Sequence, residues 1–488
     1  MAVMQRWAVV FDAPEGRSGT AGIERYWGNG GTVDNLTRLI AGYASTLVFE
    51  ELPEEVVHAA TQRMVDSLAC AIAAYRCEPA EIGIRLARGA APKRYPGRIL
   101  GYGEKSTAED AAFVNTAMIR NLDFNDQYPG GHPSDCLGAF LAIAEAAGAD
   151  GRRLLSSMVV AYELFVRFND ATGLRTKGWD QGFVIGICTA AGIGHLLRLS
   201  PRMVGEAIAI TAVANVPMRN TRAGELSLWK GTATAFATRN ALFATLLAAE
   251  GMTGPDRPFE GKHGLWDLIT GPFELAPLPG RGGEFRTPEV QLKYWPVEYN
   301  AQLVVWAALE LRSKIDWRNL TEVNFGTYAF AYSEIGSDPE KWDPKTRETA
   351  DHSLPYIFAR TLVDGTITAA SFEEAAYRDP LLRPLMAKIR VRKDEAIDAL
   401  YPETVALKVE AKTKDGRGYS FTPQDPLGHN KNPMQDKDID TKFLRAAESV
   451  LGTPRASEAL RCWWDLPNVS DLSKALNLID MGPSAIKR

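Results

Sequence analysis

A chain of 488 residues, 45% hydrophobic and 24% charged, has the composition of an ordinary soluble globular protein and is too long for one compact core. Its formal net charge of −5 leaves no basic footprint, which argues against nucleic acid as a partner, and no apolar run reaches transmembrane length. The five cysteines (Cys70, Cys77, Cys136, Cys188, Cys462) are scattered without a CxxC pair, which speaks against a disulfide framework or a zinc site and for a reducing, cytoplasmic setting.

Residues 1–32 carry Asp12 and Glu15 but not the charged start and apolar run of a secretory signal, and read as a loosely packed extension. From 33 to 285 the pattern is helical. Over 54–75, Val57, Ala60, Met64, Leu68 and Ala71 recur at three- and four-residue steps, behind a start marked by Pro53 and two glutamates. A helix-like run over 111–120 leads into a turn-rich segment, 122–135, where Pro129-Gly130-Gly131 cannot continue a helix. Residues 137–147 and 154–168 read as a helical hairpin broken at Gly148-Ala149-Asp150-Gly151. Further helices are expected over 187–199, 203–216 and 232–250. Runs such as Ala190-Ala191-Gly192-Ile193-Gly194 let helices approach closely, as in an all-α core.

A Pro- and Gly-dense linker at 277–286 then changes the texture. Strands are expected over 322–331, 386–393 and 405–412, the last turning through Lys414-Asp415-Gly416-Arg417-Gly418 into Tyr419-Ser420-Phe421 as a hairpin. Residues 299–311 and 353–363 read as helices. The resulting expectation is a mostly α fold: a helical domain over 33–285, an α+β lid over 286–432, and a helical segment over 433–488 that returns to the first domain.

Four segments carry chemistry. Within 122–135, Asp123, Asp126 and His132 suit an acid/base set, since histidine titrates near neutrality and a nearby carboxylate would raise its pKa and orient it. Two other readings stand beside it: an acid that caps backbone amides with a packed histidine, and a metal site that lacks a second histidine nearby. Cys136 is either a nucleophile or, as small thiols more often are, a buried apolar residue. The segment 219–231 holds Arg219, Arg222 and Lys230 and suits carboxylate binding, against a merely solvated connection; Trp229 favours a semi-buried site. Lys293, followed by Tyr294-Trp295-Pro296, either aims a cation into an interdomain cleft or is a surface lysine beside packed aromatics. Asp351-His352-Ser353 invites a triad reading, but triads meet in space and no GxSxG elbow occurs. Asp351 or Ser353 as a helix N-cap is preferred. No GxGxxG follows a strand and no Walker motif occurs, so nucleotide cofactors find no support.

Leu122-Asp123-Phe124-Asn125-Asp126 with His132-Pro133-Ser134-Asp135, Arg222-Ala223-Gly224-Glu225 with Trp229-Lys230, Lys293 with Pro296, and residues 348–356 together resemble the MmgE/PrpD family over about 33–451. The last segment and its 296–302 counterpart resemble the 2-methylcitrate dehydratase branch more than the cis-aconitate decarboxylase branch. The resemblance implies a large helical domain and a smaller α+β lid, an active site between them, a homodimer, no membrane association and no required cofactor. It implies a lyase that dehydrates a β-hydroxy di- or tricarboxylate such as 2-methylcitrate. Decarboxylation of a cis-aconitate-like acid, epimerisation of an imino or amino diacid, and an inactive binding homologue are the alternatives. Asp123, His132 and Lys293 are implied as catalytic, with Asp126, Gln127, Gln181, Arg222, Lys230 and Glu298 contacting substrate. Gln127 stands where the family often has Thr, Gln181 where dehydratase-like members tend to carry His, and Glu298 where the decarboxylase has His. All three bear on substrate choice.

Overall fold

The apolar stripe over 54–75 becomes the helix Glu54–Ala73, with Pro53 at its N-cap position and Ala60, Met64 and Leu68 wholly buried. It belongs to a computed structural model that describes residues 27, 33–90, 95–224 and 226–482. Apart from Trp27, the expected N-terminal extension lies outside the described residues, as does Glu225. Helices Ala108–Asn121, Leu137–Ile143, Gly151–Thr172, Gly182–Leu196, Pro201–Ala214 and Ala233–Ala249 follow where the pattern placed them, with ends shifted by a few residues. The pattern did not single out Asn35–Thr46, Glu78–Ala87 or the short antiparallel pair Pro96–Arg98 with Lys105–Thr107.

Small residues set the helix spacing. A Cβ on Gly192 would lie 2.4 Å from Phe140 Cζ, and one on Gly194 would lie 2.8 Å from Val204 Cγ2. Neither helix pair could pack this closely around a larger side chain.

The later part of the chain builds a four-stranded sheet. Leu320–Thr327 pairs in parallel with Ile389–Lys393 and antiparallel with Lys408–Thr413, whose other edge takes Gly418–Phe421. A register shift between Leu320 and Glu322 lets Leu320 and Val323, three residues apart, share the buried side with Phe325. Phe325 meets Phe358 of the helix Leu354–Asp364 edge-on, ring centroids 4.9 Å apart. The strand expected over 322–331 stops at Thr327: Asp398 Oδ1 accepts the Ala329 N–H (2.7 Å), which caps a helical turn at Ala329–Ala331.

Buried apolar side chains form two clusters. One runs from Leu36 to Leu292 and is completed by Met434, Phe443, Trp463 and Ile479; the other runs from Val297 to Ala411. Helix Asp436–Leu451 packs on Glu54–Ala73, where the Lys442 ammonium sits 2.6 Å from the buried Asp66 carboxylate. The chain therefore leaves the helical cluster, builds the smaller one, and comes back. No helix among the described residues is long and apolar enough to cross a membrane.

The return can be tested at Gly151, whose N–H donates to Val469 O (2.8 Å) and where a Cβ would meet Leu466 O at 1.7 Å. Gly151→Ala is expected to lower unfolding free energy by about 1–3 kcal/mol in urea titrations, the range for overpacking. Unchanged stability would contradict this packing.

Candidate active site

The helix Ala108–Asn121 gives way at Leu122 to Asp123, which adopts a positive φ of 49°. Aspartate tolerates this left-handed conformation better than most side chains. Asp123 is 1% exposed, and three cations close on it. Arg120 Nη1 and Lys293 Nζ each lie 2.7 Å from Oδ1, and Lys230 Nζ lies 2.9 Å from Oδ2. Lys293 also donates to the Asp123 carbonyl (2.9 Å). The three come from a helix end, the turn Leu228–Gly231, and the crossing between the two apolar clusters. Burial alone would push the Asp123 carboxyl up, but Arg120, Lys230 and Lys293 outweigh it and hold the group well below the usual carboxylate range.

His132 faces the same carboxylate, with Nε2 3.7 Å from Asp123 Oδ1. Its Nδ1 lies 2.6 Å from the Asp126 carbonyl, which can only accept, so Nδ1 carries the proton. In the neutral ring the Nε2 lone pair is therefore free and directed at the cluster. The expectation that a neighbouring carboxylate raises the pKa of His132 is corrected here. Burial first, then Arg120 and Lys293, depress it well below the ordinary value and outweigh Asp123. Orientation comes from the Asp126 backbone rather than from Asp123.

The other expected residues divide into those that build the loop and those beside the cluster. Asp126 is fully buried: Oδ1 accepts from Ser134 N (3.1 Å) and Oγ (2.6 Å), and Oδ2 from the Tyr162 hydroxyl (2.6 Å). Burial raises its carboxyl to about 6. It anchors the loop and faces no open space. Gln127 turns its side-chain amide to Tyr128 O, while its backbone pairs with Gln291 at 2.7 Å in both directions, which ties this loop to the segment leading to Lys293. Gln181 Oε1 accepts the His132 N–H (2.8 Å) and occupies the space a Cβ on Gly131 would need. Arg222 is paired with Asp180 at 2.6 Å. Glu298 accepts from Asn300 N and Nδ2, both 2.7 Å, and burial raises its carboxyl to about 7 against the pull of Lys293. Trp229, read as part of a semi-buried site, is 47% exposed although its neighbour Lys230 is buried. Cys136 is buried, and burial pushes its thiol far up, which removes the nucleophile reading.

His352 and Asp351 belong to the cluster although the expected site omitted them. Ser353 is the helix N-cap, as read, but Asp351 is not. Its Oδ1 holds His352 Nδ1 and lies 3.5 Å from Lys230 Nζ, while His352 Nε2 lies 3.5 Å from Asp123 Oδ2. Burial and Lys230 lower His352 to about 4. The polar run Asp351-His352-Ser353 was the available signal, and rejecting a triad hid the real contact.

Asp123, Asp351 and His352 bring one ligand atom each within 4.8 Å of one another. A dication there would face two ammonium groups and a guanidinium already bound to Asp123, so the set suits an anion better than a metal. Three cations, Arg120, Lys230 and Lys293, converge on Asp123, while Asp135 stands 3.8 Å from Arg120 and Asp351 stands 3.5 Å from Lys230. A cavity of about 1140 Å³ opens on the far side of Asn121, Leu122 and Phe124 and is lined by none of Asp123, His132, Lys230, Lys293 or His352.

Residues 38–278 match the MmgE/PrpD N-terminal domain and residues 295–466 the MmgE/PrpD C-terminal domain. The chain belongs to the MmgE/PrpD family. It is 26% identical over 479 residues to a cis-aconitate decarboxylase of Aspergillus terreus, covering 91% of this chain and 96% of the relative. The human cis-aconitate decarboxylase is 25% identical over 77% of this chain and 79% of its own length. A 2-methylcitrate dehydratase of Salmonella typhi is 28% identical over 65% of this chain and 71% of its own. Lys293, which reaches Asp123, lies between the two matched segments, which end at 278 and resume at 295.

Since the folded state keeps His132 neutral while the unfolded chain protonates it below about pH 6.5, this group makes stability fall as pH drops through that value. Nitrogen-15 NMR of histidine-labelled protein at pH 6 is expected to show His132 neutral with the proton on Nδ1. A protonated ring at that pH would contradict the assignment.

Proposed function

We propose that this MmgE/PrpD member is a cofactor-independent lyase that dehydrates a β-hydroxy di- or tricarboxylate, such as 2-methylcitrate, to its cis-aconitate-type alkene. The observation that carries the reading is the neutral His132, its Nε2 lone pair free beside a buried carboxylate, Asp123, on which three cations converge. Such a histidine is a base, and such a cluster stabilises the charge that develops on a substrate carboxylate when the neighbouring carbon loses its proton.

In this reading the substrate carboxylate lies against Lys230 and Lys293. His132 Nε2 takes the α-proton, the C–H electron pair becomes the alkene, and the C–O bond breaks. Glu298, whose carboxyl titrates near neutrality, gives the departing hydroxide its proton, so water leaves. Solvent returns both groups to their starting states. The family resemblance further supports a homodimer.

Decarboxylation of a cis-aconitate-like acid is the second reading, favoured by the longer match to the Aspergillus terreus decarboxylase. There the C–C bond to a carboxylate breaks, CO2 leaves, and a protonated group such as Glu298 supplies the proton to carbon.

Incubation with 2-methylcitrate and with cis-aconitate separates them: dehydration gives a new alkene absorbance, decarboxylation releases CO2. His132→Ala is expected to cut turnover on whichever acid reacts by about 100- to 10,000-fold, the usual range for a lost acid/base group. Turnover near that of the unmodified protein would sink the assignment of His132.

A further inference from the structure

Helices Glu54–Ala73 and Asp436–Leu451 run parallel: His58 and Gln62 meet Asp436, and one turn further on Asp66 meets Lys442. Their later turns stand together, and with residues 345–348 and 366–370 of the second half of the chain they enclose the cavity of about 1140 Å³ behind Asn121, Leu122 and Phe124. Clefts between separately packed bodies are where small ligands bind most often.

The wall of this cavity is aromatic and rich in donors. Tyr75, Phe124, Tyr294 and Trp295 supply the rings. Two side-chain donors of wall residues, Arg347 Nη2 and Trp295 Nε1, are buried without an acceptor. Arg347 Nη1 donates to the Asn121 carbonyl (2.7 Å), but the carboxylates of Asp351 and Glu348 stand off at 3.7 and 3.9 Å, beyond hydrogen-bond reach. A buried donor left unpaired carries a cost that a bound acceptor would remove. Lys442, also on the wall, is already met by Asp66 and two carbonyls. At the rim, exposed Arg76, Lys345 and Arg445 stand with Glu78 and Glu373, and none of these five is in an ion pair among the described residues. The balance of free charge favours an anion.

We propose that this cavity is a second ligand site, separate from the Asp123 cluster, and that it takes an aromatic acid. The rings pack on the apolar body, and Arg347, assisted by the Trp295 indole, holds the acidic head. The site does not depend on the lyase reading. Leu122 and Phe124 flank Asp123 and Tyr294 follows Lys293, so an occupant touches residues on both sides of the Asp123–Lys293 pair.

Fluorescence titration of the full chain with two dyes tests it. Anilinonaphthalene sulfonate is an aromatic anion, and N-phenyl-1-naphthylamine has the same rings without the charge. The anionic dye is expected to saturate a single site. Arg347→Gln is expected to weaken it by about 10- to 100-fold, the scale of a lost charge-assisted hydrogen bond, and to leave the neutral dye within about two-fold. Arg347→Lys keeps the charge and is expected to recover part of the loss, while retained neutral-dye binding shows that the Gln variant is folded. Ser449→Trp, which narrows the cavity from the helix Asp436–Leu451, is expected to abolish both signals. An anionic dye indifferent to Arg347→Gln, equal losses of both dyes in the Gln and Lys variants alike, or a signal that survives Ser449→Trp would overturn the site. So would the failure of either dye to bind, the result expected if a second copy of the chain covers this face. Each outcome is read without turnover, so the lyase reading stands or falls separately.

Discussion

A carboxylate buried at 1% exposure and held well below its usual range needs cations to meet it, and the structure is arranged around meeting that demand at Asp123. Arg120 is supplied locally, three residues back on the same helix; Lys230 and Lys293 arrive from 107 and 170 residues away. Removing one partner from a buried pair of this kind costs about 3–5 kcal/mol, comparable to a large part of the stability of a domain. The loop after Asn121, the turn before Ala233 and the crossing between the apolar clusters are therefore fixed to one another by charge. Lys442 extends the arrangement, since its ammonium reaches the carbonyls of Phe124 and Lys293 as well as Asp66.

The same charges that bury Asp123 set the state of His132. A histidine beside one carboxylate in water would gain proton affinity; here Arg120 and Lys293, together with burial, take it away. Asp123 is thus neutralised by its cations and has little left with which to polarise the ring. The Asp126 carbonyl holds the imidazole instead, and the Gln181 amide oxygen accepts the His132 backbone N–H. Ion pairing and proton transfer are separated within a few ångströms, one handled by side-chain charges and the other by neutral dipoles.

Helix existence was legible in the sequence because amphipathic spacing and Gly or Pro breaks are local signals, as at 54–75 and at Gly148-Ala149-Asp150-Gly151. Asn35–Thr46 and Glu78–Ala87 were not singled out although both are longer than Leu137–Ile143, and the end of the strand at Thr327 depends on Asp398, far along the chain. At the site, Asp123, His132, Lys230 and Lys293 could be named from composition and family resemblance, since each is a charged or titratable group in an otherwise apolar setting. What could not be read was direction. Asp126 and Asp123 are alike in sequence, yet one faces Ser134 and Tyr162 and the other faces the cations.

The return of the chain to its first cluster also orders events in time. Met434, Phe443 and Trp463 complete an apolar interior begun at Leu36, and Lys442 seals the carbonyls on either side of the Asp123–Lys293 contact. A ribosome delivers Asp123 early, Lys230 and Lys293 later, and Lys442 near the end. The nascent chain therefore holds Asp123 with Arg120 alone to meet it until Lys230 and Lys293 are synthesised, and the centre becomes complete only when translation is nearly over.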